Sequence, residues 1–127
     1  MNIPEDCRYS SDHEWVRSDG EGRFRVGITD YAQDALGDVV FVELPEVGLV
    51  VKANEAICEV ESTKSVSDIY APMAGKVVGV NSDVVEAPER LNTDPYGEGW
   101  LYTIDPDSAA DFENLLDAAA YREHTGG

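Results

Sequence analysis

Apolar and polar residues in this chain alternate mostly with a period of two, the spacing of strands with one buried face. Glu14-Trp15-Val16-Arg17 and Phe24-Arg25-Val26-Gly27-Ile28 flank Asp19-Gly20-Glu21-Gly22, which predicts a hairpin with a turn-rich loop. Asp38 to Leu44 is an almost unbroken run of β-branched and aromatic residues closed by Pro45, and it predicts a strand buried on much of both faces. Ala56-Ile57-Cys58-Glu59-Val60-Glu61 alternates cleanly, which turns Cys58 inward, and Val66 to Tyr70 runs on to Ala71-Pro72. Gly75 to Asn81 and Trp100 to Ile104 predict two more strands, the last ending before Asp105-Pro106.

The helical signals are few. Thr29 to Gly37 has a capping threonine, an acidic first turn and a terminal glycine. Pro88 to Leu91 suits a single turn. In the C-terminal segment Ser108 is placed to cap, with Asp111 three residues on. Phe112, Leu115, Leu116 and Ala119 then fall on one helical stripe, which predicts a helix docked on the sheet core or, as the alternative, offered to a partner. Many short strands, Gly/Pro turns and two or three short helices including a C-terminal one define the expected class. It is mainly β, a small antiparallel β-sandwich or flattened barrel.

Composition narrows the function classes. At 127 residues the chain is expected to form one domain, 1–127, with its core over about 9–123. No apolar run approaches the roughly 18 residues of a membrane span. The acidic start Met1-Asn2-Ile3-Pro4-Glu5-Asp6 lacks the pattern of a secretion signal or transit peptide, so a cytoplasmic protein is expected. Cys7 and Cys58 make no disulfide framework and no zinc spacing, and His13 and His124 are far apart in sequence, so no metal site is expected. The net charge of −17 argues against nucleic acid, whose phosphates it repels. It suits either docking on basic patches of protein partners or plain solubility.

Against that acidity the chain has three lysines: Lys52, Lys64 and Lys76. Lys64 lies in Glu61-Ser62-Thr63-Lys64-Ser65-Val66-Ser67-Asp68, between two predicted strands. A surface lysine is normally hydrated, flexible and unmodified. Here the amine stands at the tip of a strand-held turn among small hydroxyl residues, where an enzyme can close over it. Glu61, three before, and Asp68, four after, frame it with carboxylates.

Five blocks in order then carry a family resemblance: His13-Glu14-Trp15-Val16, Val26 to Gln33, Leu36 to Pro45, Glu61 to Asp68, and Asp94-Pro95-Tyr96-Gly97-Glu98-Gly99-Trp100-Leu101. Over residues 9 to about 123 the chain resembles the H proteins of the glycine cleavage system. The resemblance implies a lipoyl-domain-like (hammerhead) fold and a monomeric, non-catalytic carrier with lipoate in amide linkage on Lys64. It implies that a lipoylating enzyme reads Gly48, Glu61 and Gly75. The cyclic disulfide of lipoate accepts electrons when a nucleophile attacks sulfur. In the family the arm takes an aminomethyl group from a pyridoxal-phosphate glycine decarboxylase to a tetrahydrofolate-dependent aminomethyltransferase. Dihydrolipoamide dehydrogenase then restores the disulfide. The protein supplies placement and the cofactor supplies reactivity.

The resemblance further implies that the arm rests in a cleft, where Glu14 and Asp68 bind the cationic amine. Read locally, Glu14 is equally a solvated strand-end acid and Asp68 a turn cap. Asp12 stands where the family often has serine, and Ser62-Thr63-Lys64-Ser65 where Ser-Val-Lys-Ala is commoner. Lipoyl domains of 2-oxoacid dehydrogenases usually carry Asp-Lys-Ala at the tip and biotin carriers Met-Lys-Met, and this chain has neither. An unmodified interaction module on the same fold remains a reading. A small enzyme is disfavoured, since no nucleophile–base pair, phosphate loop or metal cluster stands out.

Overall fold

The computed structural model describes residues 1–126, which form two antiparallel sheets and several short helices. In chain order the first elements are β1 (Arg8–Tyr9), β2 (Glu14–Ser18), β3 (Phe24–Ile28), α1 (Asp30–Leu36) and β4 (Val39–Glu43). Then come β5 (Val50–Val51), β6 (Ala56–Ser62), β7 (Val66–Tyr70) and β8 (Gly75–Val80). The chain closes with α2 (Asp83–Glu86), α3 (Arg90–Thr93), β9 (Tyr102–Pro106), α4 (Ala110–Glu113) and α5 (Ala118–Thr125). One sheet has the order β1-β2-β3-β9-β8-β5, the other β4-β6-β7. No helix among the described residues is long and apolar enough to cross a membrane.

The mainly-β architecture expected from the alternation is present. Val16, Val26, Ile28, Val77, Tyr102 and Ile104 of the larger sheet share one buried cluster with Val42, Val60 and Ile69 of the smaller. Each fully buried Val or Ile contributes about 1.5–3 kcal/mol. A second buried cluster is separate from the first. There Ile3, Cys7, Tyr9 and Trp15 meet Tyr96 and α5 residues Ala118 and Tyr121. The two termini are therefore packed together.

Three local expectations are corrected. The run Asp38 to Leu44 is not buried on both faces: a register shift between Val39 and Phe41 leaves Val40 and Phe41 about half exposed. A bulge adds a residue to one strand and re-aims its side chains. The last strand does not end before Asp105 but runs through Pro106. Pro106 pairs only with Gly75 of β8, beyond the stretch of β9 that β3 covers, so its missing N–H costs no ladder bond on that side. The C-terminal stripe Phe112, Leu115, Leu116 and Ala119 is not one helix. Leu116 and Tyr9 exchange both backbone hydrogen bonds at 2.8 Å, which splits the segment into α4 and α5. Ser108 makes no cap; Asp117 caps α5 by accepting from the Ala120 N–H at 2.8 Å. Ala119 faces solvent.

Helix α1 follows the sequence signals: Thr29 Oγ1 accepts from the Ala32 N–H, and Gly37 ends the helix at φ 84°. Cys58 is buried and its thiol donates to the Glu43 carbonyl at 3.1 Å.

Candidate functional site

Lys64 stands at the turn between β6 and β7, exposed, on a mount built by one hydroxyl. Ser62 is buried, and its Oγ accepts from the N–H groups of Lys64 (3.2 Å) and Ser65 (3.1 Å) while donating to the Ser65 carbonyl (3.2 Å). The Ser62 N–H also bonds the Ser65 carbonyl at 2.8 Å. Thr63 and Lys64 keep negative φ, so the turn is not of the primed kind that two-residue hairpin loops favour. The serine side chain takes the place of the backbone acceptor that such a turn would use. The Thr63 N–H reaches across to the Asp38 carbonyl at 3.0 Å, tying the turn to the start of β4.

The lysine stem crosses Gly37, where an added Cβ would lie 2.9 Å from Lys64 Cε. A cleft of about 310 Å3 opens beside the turn. One wall is Ser65 followed by β7 as far as Ile69, a sheet edge with no strand beyond it. The opposite wall is α1, with Tyr31, Ala32, Ala35 and Leu36, together with Asp12 and His13.

Asp68 lines this cleft, and so does Asp12, whose place the sequence left open. Glu14 does not line it. Its side chain is 1% exposed and accepts from Ser10 Oγ (2.5 Å) and from the N–H of Tyr70 (3.4 Å), the residue after the cleft-lining Ile69. The solvated strand-end reading of Glu14 is therefore excluded. Burial pushes its carboxyl up to about 7 against the two hydrogen bonds that favour its ionised form.

His13, which the sequence offers only within a motif and as too distant from His124 to share a metal, is a wall of the site. It occupies the left-handed region at φ 70°, uncommon for a residue with a Cβ. Its ring stacks on Tyr31 with centroids 4.4 Å apart, and Nδ1 lies 2.8 Å from the Tyr121 hydroxyl, which also meets Thr29 Oγ1 at 2.7 Å. His124, 111 positions away in the chain, lies with its ring 5.4 Å from that of His13. Its Nε2 is 2.9 Å from the Ser11 carbonyl. Burial, and then His124, push the His13 pKa down. Helix α5 thus braces the loop that forms one side of the cleft. No sequence signal links these histidines, because α5 reaches this loop through long-range contacts: the pairing of Tyr9 with Leu116 and the packing of Tyr121. Among the described residues no group of three or more His, Cys, Asp or Glu is placed to hold a metal ion.

The remaining expected residues separate. Glu61 sits at the base of the turn, opposite Phe41 on one side and Val66 on the other. Gly75 starts β8 of the other sheet, and Gly48 lies in the turn just before its neighbour β5. Gly48 turns at φ 98° with its N–H on the Val77 carbonyl at 2.7 Å. An added Cβ at Gly75 would strike the Asp105 carbonyl oxygen and come within 2.8 Å of Pro106 Cα, so this glycine is required by the contact of β8 with β9.

Known proteins share this sequence and shape. A family model described as Glycine cleavage H-protein matches residues 7–126. A glycine cleavage system H protein from Nocardia farcinica is 58% identical over 128 residues, covering 98% of this chain and 97% of the relative. One from Pseudoalteromonas atlantica is 55% identical over 120 residues, covering 94% and 93%. The crystal structure of a glycine cleavage system H protein from Mycobacterium marinum superposes with a TM-score of 0.89 at 48% identity, covering 98% of this chain and all of the other.

Proposed function

Because the chain belongs to the glycine cleavage H-protein family, and so is a lipoyl carrier of the glycine cleavage system and not a catalyst, we propose that Lys64 is the residue that bears lipoate. The observation that carries this is an exposed amine on a turn pinned by Ser62 and Asp38, opening onto a cleft whose near wall begins at the next residue. The residues present fit the group: the turn leaves the amine free for acylation, and Ala32, Ala35 and Leu36 offer the cleft an apolar side. Lipoate, when bound, supplies a disulfide that is reduced as it takes up a one-carbon unit bearing an amine.

The chain's own residues hold and release that load. Asp68 offers a carboxylate along the arm's path, and Glu14 waits beside Tyr70, where an ammonium group would lower its pKa from about 7 and pair with it. The stacked rings of His13 and Tyr31 close one side and limit access of water. Glu61, beside the turn, is the residue a lipoylating enzyme reads directly. Gly48 and Gly75 act on that recognition through the backbone, by shaping the β5–β8 side of the fold.

In this reading the whole chain, 1–127, is one cytoplasmic, monomeric carrier domain. The other components of the glycine cleavage system are its partners. By chemistry they are a pyridoxal-phosphate glycine decarboxylase, a tetrahydrofolate-dependent aminomethyltransferase and dihydrolipoamide dehydrogenase, with a lipoylating enzyme installing the arm. Intact-mass measurement after incubation with a lipoate ligase, lipoate and ATP tests the central point. The wild-type chain is expected to gain one lipoyl group and Lys64→Arg none, with the same unfolding temperature. An unshifted wild-type mass would sink the assignment.

A further inference from the structure

The outward face of the three-stranded sheet has a charge and apolar pattern that the fold itself does not use. On β6 the residues Cys58, Val60 and Ser62 point into the core, which leaves Glu59 and Glu61 outward. The register places Phe41, Glu61 and Val66 in one row across the three strands, and Glu43, Glu59 and Asp68 in the next. Phe41 is 46% exposed, Val66 56% and Val40, at the bulge, 53%. Helix α2, which carries the half-exposed Val85, lies beside β4. An apolar margin therefore runs along the sheet next to the Lys64 turn. Behind it the second row opens on a hollow of about 290 Å3 shared by Glu43, Leu49, Glu55, Glu59 and Asp68.

That second row opposes the fold. Like charges directly across neighbouring strands destabilise a sheet. None of its three carboxylates takes part in an ion pair among the described residues, where the cations paired are Arg8, Arg17 and Arg90 on other elements. The one cation on β4, β6, β7 and their shared turn is Lys64 itself. Acylation of its amine removes that charge and leaves the face wholly anionic around an apolar margin.

We propose that this face is the docking surface for the aminomethyltransferase that receives the Lys64 arm, and that this enzyme meets it with an apolar spot rimmed by lysine and arginine. The inference rests on the carrier reading above and extends it to the surface around the arm. Two arguments fix the occupant. The face adjoins the residue the partner must reach, so docking here delivers the arm without a second surface. The chain's net charge of −17 and the unpaired acidic row repel a second copy and attract a basic rim, which speeds encounter at low salt. Interfaces of this kind have an apolar centre that supplies most of the binding energy and a charged rim that steers.

The test uses the full-length lipoylated chain and the aminomethyltransferase, with two variants outside the arm cleft: Phe41→Ser, and Glu43→Gln with Glu59→Gln. A third, Glu21→Gln with Glu123→Gln, removes two remote surface charges as a control. All are first checked for full lipoylation by intact mass, so that failure of the carrier reading is seen separately. The proposal expects Phe41→Ser to raise KM about tenfold at every salt concentration with kcat unchanged. The double glutamine variant is expected to raise KM about tenfold at low salt, with the gap closing by about 0.5 M NaCl, and the control to stay within about twofold. Fully lipoylated variants with wild-type KM would overturn the docking surface while leaving Lys64 as the carrier residue. Self-association of the wild-type chain that Phe41→Ser abolishes would assign the face to a second copy and likewise overturn it.

Discussion

Ser62→Ala measures how much the lysine turn depends on a single hydroxyl. The substitution removes two bonds accepted from the Lys64 and Ser65 N–H groups and one donated to the Ser65 carbonyl, at 3.1–3.2 Å. A neutral hydrogen bond contributes about 0.5–1.5 kcal/mol net, and bonds of this length belong at the low end. Lys64 and Ser65 are exposed, so their freed amides recover water and the loss is limited to about 1 kcal/mol. For 127 residues the unfolding entropy is roughly 0.27 kcal/mol/K, which converts this loss into a fall in Tm of about 4 °C. Calorimetry reads the global change, and amide hydrogen exchange at Lys64 and Ser65 reads the local one. The turn is expected to open about fivefold more often, and lipoate ligase to act about fivefold more slowly. A Tm within 1 °C of wild type, together with unchanged exchange at both amides, would refute the claim that Ser62 holds the turn.

Two further outcomes follow from other parts of the site. Glu14 has its carboxyl raised from 4.5 to about 7 by burial, so the folded state favours the protonated form. The stability this group contributes is full below about pH 4.5 and is lost as pH rises toward about 7, by about 3 kcal/mol at most. The difference in unfolding free energy between wild type and Glu14→Gln isolates this group, since the Tyr70 N–H left facing an amide adds only a constant offset. That difference is expected to shift against the wild type between pH 4 and pH 8, and a gap that does not move with pH would remove the buried-carboxyl argument. Gly75→Ala forces a methyl group onto the β9 backbone beside Pro106 and is expected to cost about 3 kcal/mol, near 10 °C in Tm. Lipoylation at Lys64 should fall together with stability, because Gly75 acts through the β8–β9 backbone; full stability combined with loss of lipoylation would mean that the enzyme reads Gly75 directly.

What was legible in the sequence is what short-range chemistry controls. The alternation at Ala56 to Glu61 fixed which side of β6 is buried, Thr29 and Gly37 bounded α1, and the isolated Lys64 among small hydroxyl residues marked the turn. Each depends on neighbours within a few positions, which the sequence lists directly. The features that complete the site depend on distant pairing. Leu116 bonds to Tyr9, so a segment with a helical stripe breaks into two helices and brings Tyr121 and His124 to His13. Glu14 is buried where β7 meets it with the Tyr70 N–H, and that burial, helped by the Asp12 carboxylate, raises its pKa. The register of three strands aligned Glu43, Glu59 and Asp68, which lie in three separate stretches of the chain. A residue's type sets what chemistry it can do; its burial and partners, which set whether it does so, come from contacts far along the chain.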